Sequence, residues 1–285
     1  MYKLNELFAG FTIPANEWIQ TTILWAVIHL RPVFLAIKWP VSNSLELLDQ
    51  FLRGVPALIT VVAIGLLAWR ASGTRLAVWS IAGFLLIGFL GLWDMAMTTV
   101  AMVLTSVIFC VVIGVPIGIL ASRSSRLEKF IRPVLDAMQT TPTFVYLVPI
   151  VMLFGIGNVP AVIATIIVAL PPTIRLTSLG LREVDEEMVE AGRAFGCTSM
   201  QLLREIQVPL AMPTIVTGIN QSLMLSLSMV VIAALIGAGG LGLAVYSGIN
   251  RLDVGVAATA GLAIVLIAII TDRIGQAFVN RHSNN

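Results

Sequence analysis

Residues 95–122 read MAMTTVAMVLTSVIFCVVIGVPIGILAS, 28 residues without one charged side chain. A membrane-spanning helix needs about 20 such residues. In hydrocarbon the backbone polar groups must be satisfied within the segment, which selects a helix for an isolated span. The rest of the chain agrees with this stretch. Of its 285 residues 58% are hydrophobic and only 11% are charged, where a soluble domain carries about 25%. Mean hydropathy is +0.97. Seventeen basic and 15 acidic residues cannot coat a soluble protein of this length. The arithmetic excludes a soluble enzyme, a nucleic-acid binder and a disordered chain. It leaves an all-α polytopic membrane protein.

Working outward, the charges mark where spans end. Uncharged gaps run over 54–69, 76–93, 95–122, 137–174, 206–250 and 254–271. The fourth gap is broken by Gly155-Ile156-Gly157-Asn158-Val159-Pro160, a turn signature. Seven spans are therefore predicted. Trp69, Trp79 and Trp93 fall near their ends, where amphipathic rings anchor at the interface.

Alternate connections carry the basic residues: Arg70 and Arg75; Arg123, Arg126, Lys129 and Arg132; Arg175, Arg182, Arg193 and Arg204; then Arg273 and Arg281. The opposite connections carry only Arg251. The positive-inside rule predicts a cytoplasmic C-terminus and, with seven spans, an outside N-terminus. Residues 1–53 hold Lys3, Arg31, Lys38 and Arg53. An Arg at a span centre costs about 2.5–3.5 kcal/mol, and Arg31-Pro32 lies mid-way in the apolar run 19–41. That run is read as a helix on the outer surface. Leu45, Leu48 and Leu52 are expected to form the apolar face of a short amphipathic helix after it. The predicted layout is an external segment 1–53, two peripheral spans in 54–94, a core over 95–275 and a tail from 276 to 285.

The connection 176–209 is the most informative. It holds Glu183, Asp185, Glu186, Glu187, Glu190 and Glu205, with apolar residues recurring between them. Two short amphipathic helices joined near Gly196 are predicted, with Thr198 or Ser199 capping the second. A structured loop of this length is usually functional.

Here the chain resembles a family. Glu190-Ala191-Gly192, three residues, Gly196, nine residues, then Ile206-x-Val208-Pro209 is similar to the EAA loop of type I, binding-protein-dependent ABC importer permeases. Gly192 stands for the motif's second Ala and Val208 for its Leu. Residues 138–149, 169–177, 236–242 and 248–253 resemble the glycine betaine, proline betaine and choline subfamily, across roughly 95–275. The N-terminal part resembles it chiefly in His29-x-Arg31-Pro32-Val33-Phe34.

The resemblance implies the translocation subunit of an ATP-driven importer in a bacterial inner membrane, not itself an enzyme. It would carry a betaine- or choline-like compatible solute, with an amino-acid importer as the alternative. The chain has no phosphate-binding Gly-x-x-x-x-Gly-Lys-[Ser/Thr] run, so ATP and magnesium belong to a partner ATPase, present in two copies. A second permease copy would complete the pore, and a separate extracytoplasmic protein would bind the solute. Glu190, Ala191, Gly192, Gly196, Ile206 and Pro209 would form the coupling loop. Glu190 would face basic ATPase residues, and the small Ala191 and Gly192 would allow close approach. The turns at Gly155, Gly157 and Asn158 and at Gly237, Gly239 and Gly240 would face the binding protein.

Other features carry less. Gly237-x-Gly239-x-x-Gly242 spells a dinucleotide fingerprint, but no strand precedes it. Gly114-x-x-x-Gly118 suits close helix packing. Gln139, Tyr146, Pro149, Asn220, Gln221, Met224 and Ser228 are candidates for the pathway or its gates, since polar groups at membrane depth need partners or water. Phe144, Tyr146 and Phe154 do not make the aromatic cage that would hold a quaternary ammonium. No metal-ligand set is legible, and Cys110 and Cys197 are not expected to pair. An ion-coupled carrier would want ionisable residues inside the spans, and the gaps contain none.

Overall fold

The computed structural model describes residues 14–283, the side chains of Ala15, Asn16 and 278–283 excepted; Lys3 lies outside the described residues, and so does the side chain of Arg281. Every regular element among the described residues is helical. In chain order these are α1 (Ala15–His29), α2 (Arg31–Gly54), α3 (Ala57–Ser72), α4 (Thr74–Phe89), α5 (Trp93–Arg123) and α6 (Ser125–Thr140). After a 3₁₀ turn come α7 (Leu147–Phe154), α8 (Asn158–Arg182) and α9 (Glu186–Ala194). The last three are α10 (Ser199–Ile236), α11 (Leu241–Asn250) and α12 (Val254–Ser283).

Helix α8 is the centre, flanked by α5 and α10. Small residues let the backbones approach. A Cβ on Gly118 would lie 2.6 Å from Thr177 Cβ, and one on Gly114 would lie 2.9 Å from Thr173 Cγ2. On the other flank Gly180 meets Thr214, and Gly218 meets Leu176. Between lipid-like surfaces the gain from burying apolar area is small, so such close van der Waals contact supplies much of the association. The Ser222 hydroxyl bridges α10 to α8, 2.5 Å from the Ala169 carbonyl and 2.7 Å from Thr173 Oγ1. Buried Thr105, Ser106, Thr165 and Ser226 each donate to the carbonyl four residues back, which satisfies hydroxyls that have no water to turn to.

Among the described residues four helices are long and apolar enough to cross a membrane: α5, α8, α10 and α12. Two bent pairs bring the number to six: α1 with α2, bent by 73°, and α6 with the segment to Phe154, bent by 104°. The seven predicted spans do not map one to one. The first two, α3 and α4, have only 16 residues each and form a hairpin about Gly73, whose φ is +90°. The apolar gap 206–250 is not one element either. The helix stops at Ile236, and the chain turns back through Gly237, at φ +78°, into the separate α11. Charges mark the chemistry of boundaries; Gly155 and Gly237 end helices inside uncharged stretches, while Pro116, Pro171, Pro172 and Pro213 stay within theirs.

The N-terminal boundary also differs. The break falls at Leu30, just before Pro32, and Arg31–Gly54 is one helix. Val41, Leu45, Leu48 and Leu52 share its inner face against the core. The three leucines predicted for a separate short helix, Leu45, Leu48 and Leu52, thus extend the element that Arg31 begins. Lys38 on α2 donates its ammonium to the Phe154 carbonyl at 3.0 Å. Fifteen residues later Arg53 reaches Asp94 at the start of α5, 4.0 Å away. At about 1.5 Å per residue, these contacts are about 22 Å apart along α2.

The candidate coupling loop and the turns opposite it

Helix α9 is built by its ends. Asp185 accepts the Glu187 N–H at its N-terminus, and Glu186 and Glu187 sit where the helix dipole favours negative charge. At the other end Gly196 takes φ +82°; its N–H reaches the Arg193 carbonyl, and the Cys197 N–H reaches that of Gly192. This pair of bonds is a Schellman closure, which needs a left-handed residue and so favours glycine. Thr198 then starts α10 with a reciprocal cap: it accepts from Gln201 N–H while the Gln201 side chain accepts from Thr198 N–H.

The second loop helix is not short. It runs without a stop into the span, so α10 reaches from Ser199 to Ile236, 38 residues. A π turn over Leu202–Gln207 absorbs the join. Val208 donates to Leu203, five residues back, and Pro209 has no N–H to donate.

Gly192 is buried. A Cβ there would lie 2.6 Å from Ile206 Cδ1 and 2.8 Å from Leu202 Cδ1. Its small size is therefore used inside the chain, to seat α9 on the root of α10, rather than on the outer face. Glu190 stands two residues earlier, about 200° round the helix, and is exposed. Ala191 beside it is exposed, as is Pro209, and Ile206 is half-buried. Phe195 is 90% exposed, Met200 65% and Met188 49%. The loop presents a carboxylate among apolar side chains that no described residue covers.

Charges tie the loop's surroundings together. Arg182 pairs with Glu128 and donates to the Ala121 carbonyl. Arg175 pairs with Asp136 at 2.5 Å. Seven residues apart on α8 meet eight apart on α6, in reverse order, so the two helices run antiparallel at this end. Arg123 donates to the Ser199 carbonyl. The basic residues of two predicted cytoplasmic connections thus share one end of the bundle with α9.

The two glycine turns meet at the far end. Gly157 N–H donates to the Ile236 carbonyl at 2.9 Å, and Gly239 N–H donates to Asn158 Oδ1 at 2.7 Å. Gly155 and Gly157 take φ +87° and +115°. Gly240 lies on Thr99, whose hydroxyl accepts the Leu241 N–H and donates to the Met95 carbonyl. Thr99 and Lys38 join this end without any sequence signal that would single them out.

The pathway candidates do not converge. Tyr146 donates its hydroxyl to the Met138 carbonyl, 2.9 Å away, and so finishes α6. Gln139 is exposed on α6, and Pro149 lies within α7. Asn220 donates to Asp272 on α12 at 3.0 Å and is spent on helix packing. Gln221, Met224 and Ser228 lie along one exposed face of α10. Asp272 had no sequence signal, because it sits one residue beyond the last uncharged gap. Phe154 is buried edge-on against Phe34 while Phe144 is exposed, so these rings form no cage.

Known proteins resemble this chain in sequence, and one solved structure resembles it in fold. The "Glycine betaine/proline betaine transport system permease protein ProW" of Escherichia coli is 53% identical over all of this chain and 80% of its own length. The "Glycine betaine transport system permease protein OpuAB" of Bacillus subtilis is 51% identical, covering 93% of this chain and 94% of its own. The "Glycine betaine/carnitine transport permease protein GbuB" of Listeria monocytogenes is 52% identical, over 94% and 96%. Among solved structures, an inward-facing form of the MetNI methionine ABC transporter superposes with a TM-score of 0.62 at 25% identity, over 67% of this chain and 95% of that one. Residues 114–284 match the family described as "Binding-protein-dependent transport system inner membrane component". That match takes in the coupling loop, both turns, all of α8 and α10 and the last part of α5, and the chain belongs to that family.

Proposed function

We propose that this chain is the permease of an ATP-driven importer that brings glycine betaine or a close quaternary-amine solute into the cell. The observation that carries the proposal is whole-length similarity above 50% to glycine betaine permeases. The protruding α9, with Glu190 pointing away from its seat, supports the coupling role. In this reading two copies form the pore, each docks one ATPase subunit on α9, and a separate binding protein delivers solute to the glycine turns. The end bearing α9 faces the cytoplasm, the turns face outside, and α2 lies across the outer end with Lys38 and Arg53 fastened to it. The C-terminus is inside and the N-terminus outside.

The mechanism follows from stiffness. Helix α9 sits on Leu202 and Ile206, and α10 is unbroken from there to Ile236. At about 1.5 Å per residue it is about 57 Å long. A displacement of α9 by closing ATPase subunits is carried along α10 as rigid-body rotation, the usual form of alternating access. Because Gly114, Gly118 and Gly180 let α5, α8 and α10 interlock, the trio moves together.

The test is uptake of labelled glycine betaine by Glu190→Lys in cells lacking only the native chain. The variant is expected to insert normally and to transport nothing, because a cation faces a basic groove. Normal uptake would overturn the coupling assignment. Competition by unlabelled carnitine, choline or methionine would rank the solutes.

A further inference from the structure

A cavity of about 470 Å³ opens between the end of α5, α6 and the C-terminal part of α8. One wall is apolar, with Ile131, Leu135, Ile174 and Leu179. The rim is basic, with Arg132, Arg175 and Arg182. Two of these cations are already paired, Arg175 with Asp136 and Arg182 with Glu128. Arg132 has no ion-pair partner among the described residues. The cavity therefore carries one positive charge in excess. Two donors on its lining are also unsatisfied: the Ser178 hydroxyl, on a residue 6% exposed, and the Arg175 Nε–H. A buried donor left without an acceptor is destabilising, so such atoms point to a ligand that supplies acceptor oxygens.

We infer that this cavity holds the phosphate of an anionic phospholipid. A phosphodiester brings one negative charge and acceptor oxygens for Arg132, the Arg175 Nε–H and Ser178. Its acyl chains would run along the apolar wall. A zwitterionic headgroup would set its ammonium against the arginine rim. The location fits as well: the cavity lies at the charged end of membrane-spanning helices, which is a bilayer surface whichever way the chain is oriented. Basic pockets between spans are a known form of lipid recognition.

The test uses the complete transporter, permease with its ATPase, stripped of lipid in detergent and observed by native mass spectrometry. Phosphatidylglycerol, phosphatidylcholine and inorganic phosphate are titrated separately. One phosphatidylglycerol per permease chain is expected, held in preference to phosphatidylcholine. Arg132→Gln, which breaks no ion pair or side-chain hydrogen bond among the described residues, should weaken that adduct about fivefold. Arg126→Gln, on the same helix but outside the cavity, should leave it unchanged. Equal retention of both lipids, equal loss in the two variants, or displacement by millimolar inorganic phosphate would each overturn the lipid site, the last in favour of a soluble anion.

Discussion

At the scale of single residues, the glycines of this chain do different work that their letter does not distinguish. Gly196 is needed for its left-handed φ of +82°. Gly196→Ala should cost about 1–2 kcal/mol locally, read as faster amide exchange in α9 with the spans unaffected. Gly192 is needed for its lack of a side chain. Gly192→Val should lift α9 off Ile206 and Leu202, so that uptake falls sharply while membrane insertion stays normal; undiminished uptake would show that α9 tolerates a new seat. Gly118 serves a third purpose, contact with Thr177 and the Ile174 carbonyl. Gly118→Leu forces α5 and α8 apart and should lower the melting temperature in detergent, since overpacking costs about 1–3 kcal/mol. The EAA spacing made Gly192 and Gly196 visible as candidates. The face that Gly192 uses was not visible, because a motif records distance along the chain and not direction round a helix.

At the scale of elements, local chemistry was well written in the sequence. Gly196 ends α9, and Thr198 begins α10 with the cap its hydroxyl allows. What happens after the cap was not: α10 passes through a π turn and continues into the span. Pairings between elements were invisible too. Glu128 and Asp136 look like solvated charges on an amphipathic helix, yet they clasp Arg182 and Arg175 on α8. Partly exposed pairs are worth little singly, about 0–1 kcal/mol, so their role is register rather than stability. Arg182→Glu should loosen α6 from α8, and Glu128→Arg in the same chain should restore the contact. A double-mutant cycle on thermal melting is expected to show favourable coupling; strict additivity would mean the pair does not hold α6.

At the scale of the molecule, the two ends are assembled from segments far apart in the chain. Positions 121–136 meet 175–199 at one end, and 156–158 meet 236–239 at the other. Cysteine labelling tests which end is which. In a Cys197→Ser background, Ile156→Cys should react with an impermeant maleimide added outside the cell, while Phe195→Cys should react only once the membrane is opened. The reverse pattern would invert the proposed topology. The sequence by itself determined the membrane class, the long spans, the loop and its caps, because hydrophobic length, charge and turn chemistry are local properties. It also marked the alternate connections that carry the basic residues. Only the tertiary structure decided that Gly192 faces inward, that Asn220 is spent on Asp272, that α2 is one helix and that the two glycine turns are stitched together. Those outcomes depend on which helix faces lie side by side, and neighbours in space are set by packing across the bundle rather than by order along the chain.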